Sequence, residues 1–166
     1  LIEKLLERGE FVFCQDNFLT GSLINIQKFR KLKNFRVINS SILNQIDFDV
    51  DYIWHLASPA SPKFYYKNPI ATAKIIVQGT LNILDLAKKK NAKLLYASTS
   101  EIYGNARKFP IEENDYCILK SSCERNCYAD SKKLAETLCR DYKRLFSLDI
   151  RIARIFNTYG PKMSIN

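Results

Sequence analysis

The sequence predicts an α/β fold built on a doubly wound parallel sheet, and three observations predict it. Short β-branched and aromatic runs, Phe11 to Gln15, Phe35 to Ile38, Tyr52 to Ala57, Leu94 to Ala97 and Asp149 to Ile155, alternate with helical patterns rather than with tight turns. Most of these runs are apolar without alternation, as strands covered on both faces are. Alternating strand and helix units of this kind close as parallel sheets with right-handed crossovers.

Composition narrows the class. With 166 residues and 46% hydrophobic content the chain holds one core and is short for two domains. It has no apolar run of about 18 residues, so no membrane span is expected. The 26 basic against 17 acidic residues give a net charge of +9, which suits an anionic partner. The cations cluster at predicted helix ends, Lys28 to Lys33 and Lys88-Lys89-Lys90, where they are favourable in any case. No nucleic-acid-binding motif accompanies them, and nucleic acid is not expected as a partner. Cys14, Cys117, Cys123, Cys127 and Cys139 form no Cys-x-x-Cys pair and have only His55 to join them. No metal site is expected, and reduced thiols in a cytoplasmic compartment fit this pattern.

Leu1 to Gly9 carries apolar residues at 1, 2, 5 and 6 and stops at a glycine, like the last turns of an amphipathic helix. The next strand delivers Asp16 to its end. An acidic residue there in a dinucleotide-binding fold accepts hydrogen bonds from the adenosine ribose and repels a 2′-phosphate, which favours NAD over NADP. A turn or helix-cap aspartate is the plain alternative. Gly21 to Leu32 reads as a polar loop followed by a basic helix. The glycine-rich loop that lets backbone N–H groups approach a pyrophosphate is missing, since Gly9, Gly21, Gly79, Gly104 and Gly160 are too far apart. The chain is therefore expected to be a truncated piece of a larger protein, binding dinucleotide weakly by itself.

The strand from Tyr52 ends at Leu56-Ala57-Ser58, small residues that let a cofactor lie close, and His55 reads as structural. Pro59 and Pro62 fix an extended loop. Pro69 to Lys90 is a long core helix with proline at its start and lysines at its end. Leu94 to Ala97 then leads into Ser98-Thr99-Ser100-Glu101-Ile102-Tyr103-Gly104, so hydroxyls and a carboxylate reach the rim of the sheet. A helix from about Asn126 to Phe146 brings Tyr128 and Lys132 to the same rim, four residues apart on one face. A phenol beside a fixed ammonium and the Thr99 hydroxyl is the expected base. Taken alone, Tyr-x-x-x-Lys is also what an aromatic packed on a core next to a solvated lysine looks like.

These segments, with Asp16-Asn17-Phe18-Leu19-Thr20-Gly21-Ser22, Ala57-Ser58-Pro59-Ala60-Ser61-Pro62 and Arg151 to Pro161, resemble the extended short-chain dehydrogenase/reductases. More narrowly they resemble the UDP-glucuronate decarboxylases. The resemblance implies a partial Rossmann-like NAD-binding domain over residues 1–166, lacking a first strand with its glycine loop and a C-terminal substrate domain. It implies NAD contacts from Asp16, Asn17, Phe18, Thr20, Gly21, Leu56, Ala57, Ser58, Tyr128, Lys132 and Thr158. Nucleotide-sugar contacts would come from Pro59, Ser61, Tyr65, Glu101, Arg125 and Asn157. Catalysis would rest on Thr99, Ser100, Glu101, Tyr128 and Lys132, with Thr99 holding the sugar C4 oxygen and Lys132 binding the nicotinamide ribose and lowering the phenol. The chain departs from the family at Ser41, where an Asp is usual, and at Ile76, where an Asn is usual.

The resemblance further implies that UDP-glucuronate is oxidised at C4, decarboxylated, and reduced again by the returning hydride to UDP-xylose, in a homodimer. Nucleotide-sugar 4,6-dehydratases carry Thr-Asp-Glu where this chain has Thr99-Ser100-Glu101, and a serine cannot serve as the acid that expels a hydroxyl. Dehydratase is the alternative reaction and 4-epimerase a further one. A non-catalytic Rossmann scaffold or binding subunit is the alternative of another class.

Overall fold

The computed structural model describes residues 1–45, 47–106, 108–119, 122 and 126–161. They fall into two compact units, one containing Leu1–Asn44 and the other Gln45–Tyr159.

In the first unit, helix α1 (Ile2–Glu7) is followed by Gly9 at φ +81°, a conformation that favours glycine. Strands β1 (Val12–Asp16) and β2 (Phe35–Asn39) pair in parallel, from Val12 opposite Phe35 to Asp16 opposite Asn39. Val12, Ile26, Phe29 and Phe35 form the core, with Leu5 and Leu6 of α1 packed on it. The basic helix expected after Gly21 does not form. Two 3-10 turns, Leu23–Asn25 and Gln27–Phe29, stand in its place. Leu23, Ile26, Phe29 and Leu32 recur every third residue, the period of the 3-10 helix and not of the α-helix.

In the second unit, β3 (Tyr52–His55), β4 (Lys93–Thr99) and β5 (Ile150–Ile155) form a parallel sheet with β4 in the middle. Two helices precede β4. The short α2 (Pro62–Lys67) opens on a proline in what the sequence suggested was an extended loop. A proline at the first helical position loses no hydrogen bond, so Pro62 starts a helix as readily as it fixes a loop. The long α3 (Pro69–Lys90) then crosses to β4, and α4 (Asn126–Phe146) crosses from β4 to β5.

Helices α3 and α4 pack on one another and on the sheet, around Ile76, Ile83, Leu84, Leu94, Tyr96, Ala135 and Cys139. Each large aliphatic side chain removed from water there contributes about 1.5–3 kcal/mol. By length and composition α3 could cross a membrane, at a mean hydropathy of 1.3 over its most apolar window. Its apolar side, however, is the one buried in this core, while Lys74, Gln78 and Asp85 stay exposed.

Candidate active site

Strand β4 is hydrogen-bonded on both edges and buried along most of its length, and it stays apolar from Leu94 to Ala97 before Ser98-Thr99. Thr99 caps the 3-10 turn Ser100–Tyr103: its Oγ1 accepts from the Glu101 N–H at 3.2 Å. That bond occupies an oxygen lone pair and leaves the hydroxyl proton free on the side of the Tyr128 phenol, whose ionisation Thr99 favours.

Tyr128, Lys132 and Glu136 stand four residues apart on the buried face of α4. The Tyr128 ring lies flat on Tyr65 of α2, with centroids 5.1 Å apart and planes at 11°. Burial pushes the phenol up, the Thr99 hydroxyl pulls it down, and the charges of Glu101 and Tyr65 raise it again, leaving it at about 12. Lys132 Nζ donates to the Ala97 carbonyl at 2.7 Å and lies 5.9 Å from the Tyr128 ring centroid. Burial holds this ammonium down at about 8. The ammonium is thus turned to the strand, while burial, Thr99, Glu101 and Tyr65 act on the Tyr128 phenol.

The sequence reading missed a second layer behind this group. Glu136 is 1% exposed and is gripped by both prongs of Arg154, Nε to Oε1 at 3.0 Å and Nη2 to Oε2 at 2.9 Å. Burial opposes its ionisation, but the bonds from Arg154 hold its carboxyl below the usual range. Its signal was present as an acid at the next helical step after Tyr128 and Lys132, on a stripe otherwise buried.

Thr99 and Glu101 act on the Tyr128 phenol, Lys132 stands beside the Tyr128 ring, and Ser100 is half-buried in the turn between Thr99 and Glu101. Tyr65 and Pro59 do not fit the role of substrate contacts: both are buried, and Tyr65, at 0% exposure, underlies Tyr128 instead. Ser61 is exposed at the start of α2, and Asn157 and Thr158 are exposed after β5. Leu56 is exposed, Ala57 is half-buried, and the buried Ser58 Oγ has no hydrogen-bond partner. Arg125 lies outside the described residues. His55 is buried against Thr80, as a structural histidine should be.

In the first unit, Asp16 Oδ1 accepts from the Phe18 N–H at 2.7 Å, with Phe18 at φ +54°. A Cβ on Gly21 would come within 3.0 Å of Asp16 Oδ2, so the glycine leaves that oxygen uncovered. Asn17 Oδ1 accepts from the Leu19 N–H in the same turn, and Thr20 is exposed beyond it. The departing Ser41 caps a local turn through the Leu43 N–H, and Ile76 is a core residue at 1% exposure. Among the described residues no group of three potential metal ligands occurs.

Parallel strands with a Tyr-x-x-x-Lys helix docked behind a Thr-capped strand end define a Rossmann-type short-chain dehydrogenase/reductase of the extended class. The chain belongs to the GDP-mannose 4,6 dehydratase family, whose model matches residues 1–166. It is 44% identical over 166 residues to UDP-glucuronic acid decarboxylase 1 of Arabidopsis thaliana, covering 100% of this chain and 38% of that protein. It is 43% identical over 166 residues to UDP-glucuronic acid decarboxylase 1 of Xenopus tropicalis, covering 100% of this chain and 39% of the relative. The chain thus spans less than half the length of these relatives. Its fold is similar to that of a Thermus thermophilus UDP-glucose 4-epimerase solved in complex with NAD, with a TM-score of 0.83 and 25% identity. That match covers 99% of this chain and 53% of the epimerase.

Proposed function

We propose that this chain forms the NAD-binding and proton-transferring part of a nucleotide-sugar decarboxylase acting on UDP-glucuronate. The observation that carries it is the buried Tyr128 phenol beside the Thr99 hydroxyl and Glu101, with the buried Lys132 one helical turn further on. The resident residues fit NAD. In the second unit Ser58 presents a buried hydroxyl without a partner. In the first unit, taken by itself, Gly21 leaves Asp16 Oδ2 open to a ribose hydroxyl. Lys132 has three N–H donors, and its bond to Ala97 leaves two for the nicotinamide ribose.

When bound, NAD supplies the hydride acceptor and a positive charge beside the phenol. Tyr128 then takes the proton of the sugar C4 hydroxyl while Thr99 holds its oxygen. A ketone at C4 makes the C5 carboxylate β to a carbonyl, so it leaves as carbon dioxide with its electrons in an enolate. Glu101 and Ser100 would orient the carboxylate and return a proton to C5, and the hydride taken from C4 would then go back to the ketone, so that the pentose is formed with no net oxidation. No acid is needed to expel a hydroxyl, and Ser100 offers none, which favours decarboxylation over dehydration.

Carbon dioxide release from UDP-glucuronate by the complete protein is the test. Release at catalytic rates is expected. Dehydration of a nucleotide hexose without such release would replace this reading with the dehydratase one.

A further inference from the structure

The Glu136 carboxylate is fully buried yet has no part in the proposed chemistry. A buried ion pair is a poor source of stability, because removing both charges from water offsets most of their attraction. Its effect is directional. With Nε and Nη2 fixed on Glu136, Arg154 aims Nη1 at the Tyr103 hydroxyl and at the Glu113 carbonyl, each at 2.8 Å. One guanidinium therefore joins β5, α4, the Ser100–Tyr103 turn and the loop after Gly104, in a fork that no ammonium reproduces.

The backbone grips Tyr103 a second time. Its carbonyl accepts from the Ile118 N–H at 3.0 Å, and the Ile118 carbonyl accepts from the Asn105 N–H at 3.0 Å. Tyr103, itself 3% exposed, is thus held at both ends, two residues from Glu101.

We infer that Arg154, locked by Glu136, is a positioning residue: through Tyr103 it fixes the turn against α4 and so sets where the Glu101 carboxylate stands relative to the Tyr128 phenol. This deepens the proposed function and rests on it for the reaction that is read out. The groups facing Tyr128 are Thr99 and Tyr96 from β4, Glu101 from the turn, Tyr65 from α2 and Lys132 from its own helix. Of these, only Glu101 lies on the segment that Arg154 restrains.

Tyr103→Phe is the first variant, because it deletes one hydroxyl and keeps both the ring packing and the Glu136–Arg154 pair. In the complete protein, single-turnover reduction of bound NAD by the nucleotide sugar should slow about tenfold or more, with KM changed by less than about twofold. Arg154→Lys should do the same more strongly. A role in folding alone would lower the Tm and leave the rate per folded site unchanged, which would overturn the inference.

The second readout does not depend on turnover. In ring-labelled tyrosine NMR, Tyr103→Phe should move the Tyr128 titration downward as the Glu101 charge withdraws. Glu101→Gln should lower it as well and abolish the additional shift from Tyr103→Phe. A titration unmoved by Tyr103→Phe, or a shift that persists in Glu101→Gln, refutes the positioning role. If the wild-type protein releases no carbon dioxide from UDP-glucuronate, the decarboxylase reading fails, and the titration still decides the role of Arg154.

Discussion

The ammonium of Lys132 donates to the backbone carbonyl of Ala97 at 2.7 Å and stands nearer the ring of Tyr96, at 4.9 Å, than that of Tyr128, at 5.9 Å. Burial lowers its pKa from 10.5 to about 8. The folded state therefore holds this proton less tightly than the unfolded chain does. The cost to stability is present in full below pH 8 and fades as pH rises towards 10.5. Lys132→Met should accordingly stabilise the protein by about 1–3 kcal/mol near neutrality while abolishing turnover. Urea unfolding at neutral pH measures it. A Met variant less stable than wild type would mean that the bond to Ala97 outweighs the burial of charge.

Tyr128→Phe keeps the ring on Tyr65 and removes only the phenol oxygen on which Thr99 acts. Turnover should fall by about 10²–10⁴, the usual worth of a positioned acid–base group. NAD affinity, measured by titration calorimetry on the complete protein, should stay close to wild type. Near-normal turnover in this variant would leave the chain with only a scaffold role.

His55 supplies the acid limb of stability. The Thr80 hydroxyl donates to the Ile76 carbonyl at 2.6 Å, so at 3.0 Å from His55 Nε2 it can only accept. The neutral ring therefore carries its proton on Nε2, and Nδ1 is buried with no partner. A proton added at Nδ1 would have nowhere to bond. Burial, helped by the charge of Lys132, lowers the pKa from 6.5 to about 3. The unfolded chain binds this proton first, so stability falls as pH drops below 6.5. Between pH 6.5 and about 4.5, His55 should remove about 2–3 kcal/mol that His55→Gln retains. Parallel loss in both proteins would show that another group titrates.

Much of this was legible because spacing in the sequence becomes spacing on a face. Tyr128 and Lys132 fell on one side of α4, and the apolar run after Ala92 became the central strand with Thr99 at its end. The two prolines misled about Pro62, since proline opens a helix as well as it fixes a loop. Tyr65 looked like a ligand contact because its loop faces ligands in the resembled family, whereas its ring is buried on Tyr128 of α4. The grip of Arg154 on Glu136, Tyr103 and Glu113 joins residues 18, 51 and 41 positions away from it, and no local pattern encodes such a meeting.

Gly104 is the pivot of the loop that follows the turn. Its φ of +62° with ψ of −130° lies in a region that side chains avoid, and an added Cβ would sit 2.0 Å from the Ile118 carbonyl oxygen. That oxygen belongs to backbone engaged with both Asn105 and Tyr103, so it cannot move aside without breaking the neck of the loop. Gly104→Ala should therefore cost about 2–4 kcal/mol, from backbone strain together with the lost pairing. Because Tyr103 would lose its carbonyl anchor, turnover should drop with stability, and protease cleavage between residues 105 and 118 should accelerate. An alanine variant with an unchanged urea midpoint and unchanged cleavage would show that the Gly104–Ile118 bridge does not hold the turn.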